Sequence, residues 1–249
     1  MSRLGGRWKQ WAATFRDTPL HPQWLYREPR RWLPELRALS GGGMLLDIGA
    51  GEGWVKERLP AGWRYIGFDH PAVGIGWYGA KPDVSGDASA LPFAASAFDA
   101  ITMLEVVEHL ERPEMALSEV DRVLRPGGVL ICSVPFLYPV HDAPRDFQRI
   151  TIHGFHEVAK RFGWSVESER RLAPGFQAIA VQFGVGVSSL VVARGGGKIS
   201  QRFLAFALLP FVALANVFAV LLSQLLPDVA GLAGGHIVVF RKPHASRVE

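Results

Sequence analysis

The sequence predicts an α/β fold: a doubly wound, mostly parallel seven-stranded sheet with an apolar helical insertion before its last strand. Three observations lead there. Strand-like and helix-like segments alternate from Met44 to Trp164, and such alternation builds parallel sheets covered by helices. The apolar run Met44–Ile48 empties into Gly49-Ala50-Gly51-Glu52-Gly53, as a buried strand does when it turns into a loop that cradles a ligand. Acidic residues recur where strands end, at Asp47, Asp69, Asp87 and Glu105. Open parallel sheets bind their ligands off those carboxyl ends.

The elements follow in order. Met44–Ile48 is the first strand, and Trp54–Leu59 is a short helix ended by Pro60. Arg64–Phe68 is the second strand, closing on Asp69, and Asp83–Gly86 is a brief third, followed by Asp87. Between them HPAVGIGWYGAKPDVSG is rich in Gly and Pro and makes a poor crossover helix. A loop there leaves Trp77 and Tyr78 to line the pocket or to pack in the core. Phe98–Leu104 is the fourth strand, followed by Glu105. Arg112–Leu124 is an amphipathic helix with Pro113 in its first turn, one apolar face of Leu117, Val120, Val123 and Leu124, and Pro126-Gly127-Gly128 as its stop. Val129–Val134 is the fifth strand, Ile152–Phe162 a helix, Trp164–Glu169 the sixth strand and His236–Arg241 the seventh.

With 249 residues, about half of them apolar, the chain is one large domain or one domain with attachments. Its parts are a basic, Trp-rich helical arm over 1–40, a core over 41–173, the apolar insertion over 174–234, and the last strand with a tail over 235–249. The single cysteine, Cys132, excludes an internal disulfide and suits a reducing compartment. Within VLICSV it reads as a small buried apolar residue. No secretory signal is expected, because no apolar stretch follows the basic start. Residues 1–37 carry eight Lys/Arg against three acidic residues, and four of the eight tryptophans. There Leu4, Trp8, Trp11, Ala12 and Phe15 recur at helical spacing. Such a stripe either lies on an anionic membrane surface or caps the substrate cleft. No basic stripe continues downstream, so no nucleic-acid partner is expected.

The glycine loop has the spacing G-x-G-x-G, with Asp47 two residues before the first glycine. Dinucleotide sites use G-x-G-x-x-G and an acidic residue about 20 positions later. A carboxylate placed as Asp47 is suits an ammonium or sulfonium charge better than a pyrophosphate, and S-adenosylmethionine bears both. The pieces LLDIGAGEG, YIGFDH, GDASALPF, FDAITMLEVVEHL and VLRPGGVLICSVP cover residues 44–135. In these pieces and in their order the chain resembles the class I S-adenosylmethionine-dependent methyltransferases of the broad small-molecule type. The resemblance implies a Rossmann-like methyltransferase fold with S-adenosyl-L-methionine as cofactor. It assigns Asp47 and the backbone of Gly49, Ala50 and Gly51 to the methionine end. Asp69 takes the ribose hydroxyls, Asp87 with Ala88 the adenine, and Glu105 closes the pocket near the sulfonium.

The segment Ser133–Thr151 leaves the fifth strand where an acceptor enters, and its three prolines favour extended or turn backbone. It is similar to a motif of methyltransferase-like proteins in surface glycan or lipid-linked sugar pathways. A sugar hydroxyl needs a base to take its proton, whereas a carboxylate does not. His141 is the candidate base, oriented by Asp142 or Asp146, and Arg145 and Arg149 are placed to grip an anionic acceptor. Alternatively, Asp146 and Arg149 form a pair that pins the loop. His109 is the rival base, or else caps the end of the fourth strand. No metal-ligand spacing stands out, and no metal is expected. Nor does an Asn/Asp-Pro-Pro-aromatic tetrad follow the fourth strand, so nucleic-acid base methylation is not expected.

Phe203–Leu226 carries no charge and is long enough to span a bilayer, though Pro210, Asn216, Ser223 and Gln224 interrupt it. Pro174–Ala193 is also uncharged, and the basic stretch RGGGKISQR lies between the two. The last strand must return to the same sheet, which excludes a single crossing. A double crossing puts the basic tip outside, against the usual charge bias. A helix lying in the membrane interface, a lid over the acceptor site and a buried or dimer-forming helix pair remain. The expected function is methyl transfer to a small or lipid-linked acceptor, at an oxygen of a glycan or lipid intermediate. The expected place is the cytoplasm, at the inner face of the membrane. The alternative is a non-catalytic S-adenosylmethionine-binding scaffold at the membrane. Oligomeric state is not set by the sequence.

Overall fold

The computed structural model describes residues 18–26, 33–78, 80–192, 199–227, 229 and 231–244. The expected stripe of Leu4, Trp8, Trp11, Ala12 and Phe15 lies outside them, as do the side chains of Trp77 and Tyr78. Seven strands form one sheet: β1 Gly43–Ile48, β2 Trp63–Asp69, β3 Val84–Ser85, β4 Phe98–Leu104, β5 Leu124–Pro135, β6 Ser165–Pro174 and β7 Ala233–Arg241. Their order is β3-β2-β1-β4-β5-β7-β6. The pairings β1–β2, β1–β4, β2–β3 and β4–β5 are parallel. The strand order reverses between β1 and β4, the switch point at which such sheets open a crevice.

Helices α1 Leu33–Arg37, α2 Pro113–Val123 and α3 Ile152–Phe162 accompany the sheet. Ala116, Leu117, Val120 and Val123 of α2 are buried in one core with Ile48, Phe68, Ile101, Met103 and Leu130. The polar end of α3 is closed locally, since the Thr151 hydroxyl accepts the Gly154 N–H at 3.0 Å. The indole N–H of Trp164 donates to Asp121 at 2.8 Å and ties α2 to the entry of β6. Cys132 is buried, and burial pushes its thiol pKa far up, so it packs as an apolar residue.

Several boundaries differ from expectation, β7 among them, which begins at Ala233 rather than His236. The short helix over Trp54–Leu59 is only a 3₁₀ turn at Lys56–Arg58. The Gly-rich stretch after β2 winds into a wide π-helical turn over Pro71–Tyr78 rather than a loop. Pro126-Gly127-Gly128 does not stop α2 but lies within β5, because Leu124 already turns extended. The register there steps from Phe98↔Leu124 to Ala100↔Val129, so the intervening residues bulge out of the ladder. The gain is local packing: Leu124 and Phe98 are both almost wholly buried. Finally, β6 runs on to Pro174, beyond the expected Glu169.

The chain divides into two compact units. One holds residues 32–136, 140–170 and the chain from 236 on, and so contains β1 to β5 with the strand ends described below. The other holds residues 137–139, 171–235 and the described part of 1–31. In this second unit two apolar helices, α4 Phe176–Val192 and α5 Ile199–Leu225, pack together with Val187 and Val212 buried between them. Both lie between β6 and β7, where the insertion was expected. Asn216, a polar interruption of the apolar run, donates from its amide to the carbonyls of Pro19 at 2.7 Å and His21 at 3.3 Å. Phe206–Leu225 is long and apolar enough to cross a membrane, yet Phe206, Phe211, Leu214, Phe218 and Leu225 are exposed.

Replacing Ile101 by Ala in the buried middle of β4 is expected to lower stability by about 2–5 kcal/mol. Leu214→Ser on the exposed side of α5 should change it by no more than about 0.5 kcal/mol. Denaturant unfolding followed by tryptophan fluorescence reads both, and equal losses would refute this placement of the core.

Candidate active site

The carboxyl ends of β1 and β4 meet at very short range. Gly49 has a φ of +77°, and a Cβ added to it would lie 2.3 Å from Cγ2 of Val106. Only glycine fits there, on both backbone and steric grounds. At the end of β4, Glu105 also takes a left-handed conformation, with a φ of +58°. It is held there by Ser133 of β5: the Glu105 N–H donates to the Ser133 carbonyl at 3.0 Å, and the Ser133 hydroxyl donates to Oε1 of Glu105 at 3.0 Å.

Asp47 is wired inward. In register with Gly67 of β2 and Thr102 of β4, it accepts the Thr102 hydroxyl at 2.6 Å and the Tyr65 hydroxyl at 2.9 Å, one on each oxygen. It is only 2% exposed, and burial pushes its pKa up to about 7 against the pull of those two donors. Burial and the adjacent Asp47 carboxylate push the Tyr65 phenol far up as well. Ala50 packs over the same spot, since a Cβ on Gly67 would lie 3.2 Å from that of Ala50.

The loop amides are also used within the protein. Gly49 and Ala50 both donate to the Phe68 carbonyl, at 2.9 and 3.1 Å. Gly51 donates to Oδ2 of Asp69 at 2.8 Å, while His70 donates to Oδ1 at 2.7 Å. Asp69 is thereby aimed from both sides. A Cβ on Gly74 would lie 2.1 Å from its carboxyl carbon, so the turn after β2 packs its bare backbone against that carboxylate. Asp87 accepts both the N–H and the hydroxyl of Ser89 on Oδ1, and these bonds hold its pKa below the usual carboxylate range. Ala88 beside it is buried in the core.

Beyond β5 the loop is strapped onto the turn Val107–His109. The Phe147 N–H donates to the Glu108 carbonyl at 2.8 Å, and the Gln148 amide donates to the carbonyls of Val107 at 2.9 Å and Leu110 at 3.2 Å. Nδ1 of His109 meets the Arg145 carbonyl at 2.5 Å, so His109 serves the strap and not the end of β4. Asp146 orients His141: its Oδ2 accepts the His141 N–H at 2.9 Å and lies 3.2 Å from Nδ1. Both oxygens of Asp146 also meet the Arg149 guanidinium, the expected pinning pair. Burial opposes ionisation of Asp146, but the Arg149 and His141 donors prevail and hold its pKa at about 2. Asp142 instead occupies a left-handed turn with a φ of +52°, and its carbonyl accepts the Arg145 N–H.

Sequence reasoning missed Tyr65 and Thr102 as the partners of Asp47, Ser133 as the anchor of Glu105, and the complete burial of Glu108. Only Glu108 left a trace, as the acidic neighbour of His109 in EVVEHL. A cavity of about 460 Å³ exists elsewhere, at the amino ends of the strands, lined by Gly42, Trp63, Asp99, Arg125, Glu167 and Arg241. Its arginines are paired to Asp99 and Glu167. The strand ends that open a crevice lie at the opposite edge of the sheet.

Comparisons with known proteins point to methyltransferases over part of the chain. Residues 46–132 match the family described as "Methyltransferase domain". The demethylmenaquinone methyltransferase of Renibacterium salmoninarum is 35% identical over 111 residues, covering 42% of this chain and 46% of that protein. A Mycolicibacterium smegmatis protein bearing the name "Probable S-adenosylmethionine-dependent methyltransferase" is 29% identical over 193 residues, covering 72% of each chain. The chain thus spans about half the length of the first relative and nearly three quarters of the second. In fold, the [4+2]-cyclase SpnF superposes with a TM-score of 0.54 at 20% identity, over 86% of this chain and 79% of that one. An S-adenosylmethionine-dependent methyltransferase of Thermotoga maritima gives 0.51 at 14% identity, over 96% and 97%.

Asp47 makes ligand-free stability depend on pH. Its folded pKa lies above the unfolded value, so its contribution is fully present below about pH 4 and is lost as pH rises through about 7. Asp47→Asn removes that loss, and the variant should gain on the parent by up to about 4 kcal/mol between pH 4 and pH 8. Thermal melts across that range test this, and parallel profiles would contradict it.

Proposed function

We propose that this chain, whose residues 46–132 match a methyltransferase domain family, is a class I S-adenosylmethionine-dependent methyltransferase that transfers a methyl group to an oxygen of a small or lipid-linked acceptor. The carrying observation is the meeting of strand ends at the switch point, where Gly49 leaves room for Val106 and the Asp69 carboxylate is pre-aimed by backbone amides. The residues present fit the cofactor. A pyrophosphate would need backbone donors there, and the amides of Gly49, Ala50 and Gly51 are already engaged with Phe68 and Asp69. Vicinal ribose hydroxyls need a fixed carboxylate, and Asp69 has both oxygens positioned by backbone amides. Asp87 is held for the adenine side by Ser89, with Ala88 as apolar floor. Glu105 stands at the end of β4, where the sulfonium is expected, fixed by Ser133.

Bound S-adenosylmethionine supplies an electrophilic methyl group whose departure leaves a neutral thioether. The protein's task is then largely alignment. An acceptor hydroxyl must also lose its proton as its oxygen forms the new bond. His141, aimed by Asp146 on a loop strapped to the Val107–His109 turn, is the residue placed to manage that proton. The name of the Renibacterium relative supports a small-molecule acceptor. The exposed apolar side of α5, with Phe206, Phe211, Leu214 and Phe218, supports peripheral contact with the inner face of the membrane, from which a lipid-linked acceptor is drawn.

Asp69→Ala should weaken S-adenosylmethionine binding by about 1–3 kcal/mol, measured by calorimetry. An unchanged affinity in a folded variant refutes its place on the ribose. Incubation with methyl-labelled cofactor and a lipid extract should move label into the extract, and His141→Ala should slow that transfer while cofactor affinity stays intact. Tight cofactor binding with no transfer to any acceptor class would favour the scaffold reading.

A further inference from the structure

Two imidazoles and a buried carboxylate converge beside the strap, and nothing in the proposed methyl transfer yet requires that grouping. Glu108, His109 and His141 each present one ligand atom, and the three atoms lie within 4.8 Å of one another. We propose that these three residues bind a divalent transition-metal cation, with zinc the best match to their N,N,O donor set.

The donor chemistry carries the assignment. Two imidazoles and one carboxylate suit zinc and its neighbours, whereas magnesium prefers oxygen ligands alone. Each histidine is prepared for the task by a partner on its Nδ1. His141 faces the Asp146 carboxylate there at 3.2 Å, and His109 faces the Arg145 carbonyl at 2.5 Å. Such acceptors fix the tautomer with the proton on Nδ1 and direct the Nε2 lone pair outward, the outer-shell arrangement of metal-binding histidines. Asp146 is itself held by the Arg149 guanidinium, so the support extends one residue further. The rings of His109 and His141 stand edge to face with centroids 5.0 Å apart.

The carboxylate fits as well. Glu108 is completely buried, a costly position for a negative charge, and a cation is the strongest compensation such a site can receive. Its Oε1 lies 3.7 Å from Nε2 of His109, close to the roughly 3.4 Å that separates ligand atoms around tetrahedral zinc. The widest separation in the trio needs to close by little more than about an ångström to match. Spacing along the chain conceals the set, because His141 reaches the other two only through the strap. The expectation of no metal is therefore replaced by this proposal.

Three protein ligands leave a fourth position, as in zinc sites that act on a substrate. If the methyl-transfer reading holds, that position lies where the acceptor enters, and the cation lowers the pKa of a hydroxyl that reaches it. His141 then manages the acceptor proton through the cation. Metal binding itself does not depend on that reading.

The test uses full-length protein stripped of metal with a chelator and titrated with zinc alone against a chromophoric competitor. One zinc per chain should bind, magnesium in excess should not displace it, and cobalt in its place should show visible ligand-field absorption. His141→Ala should abolish the cobalt spectrum and weaken zinc binding at least tenfold. Asp146→Asn should weaken it about 10–100-fold as a positioning change. Because His141 is partly exposed, its variant is expected to fold, and calorimetric titration with S-adenosylmethionine on the same samples checks this. Absence of one-to-one zinc binding, or zinc binding unchanged in His141→Ala, overturns the proposal. Failure to bind S-adenosylmethionine with zinc binding intact would overturn the methyl-transfer reading alone.

Discussion

Two parallel strands, β1 and β4, run side by side to Ile48 and Met103 and then both turn away within a residue or two. The turn is possible because Gly49 carries no side chain where Val106 already fills the space. Both turning residues adopt left-handed backbone, which a glycine does at no cost and Glu105 does only because Ser133 holds it. The crevice at the switch point follows from that separation. So does the position of Asp69, which the parallel β1–β2 register delivers next to the Gly51 amide.

Around this crevice most polar groups are already engaged with one another. Asp47 cross-links β2 and β4 through the hydroxyls of Tyr65 and Thr102. A buried carboxylate with two hydroxyl donors acts as a structural rivet whose charge is felt at short range. The loop amides close back on Phe68 and Asp69, which withdraws those donors from an anionic ligand. That arrangement opposes a pyrophosphate, the distinction first suggested by the glycine spacing.

The second feature is the strap formed by the loop after β5. Hydrogen bonds from Phe147 and Gln148 to the carbonyls of Val107, Glu108 and Leu110 bind it to the turn that follows β4. Two histidines distant in the chain are thereby brought face to edge, each with its Nδ1 turned to an acceptor. A proton-handling pair and a cation site need the same preparation, namely a fixed tautomer and a directed lone pair.

Strands, helices and the acidic residues at strand ends were legible in the sequence because their signals are local. Phe98–Leu104 and Ile152–Phe162 were predicted to the residue, since apolar runs and helical periodicity are decided within one turn or one pleat. Other features required partners far along the chain. Pro126-Gly127-Gly128 looks like a helix stop, yet pairing of Leu124 with Phe98 draws it into β5. Asp47 gives no sign in the sequence that Thr102 and Tyr65 each donate to one of its oxygens. Asp142 and Asp146 are equally good neighbours of His141 on paper, and the structure shows Asp146 bonded to both His141 and Arg149. Glu108 joins His141 only through the strap. Sequence alone determined most strands and helices, because apolar runs and helical periodicity are set by near neighbours. Which side chains meet was decided by the sheet order and the bound loop, because such contacts exist only once distant segments have been folded together.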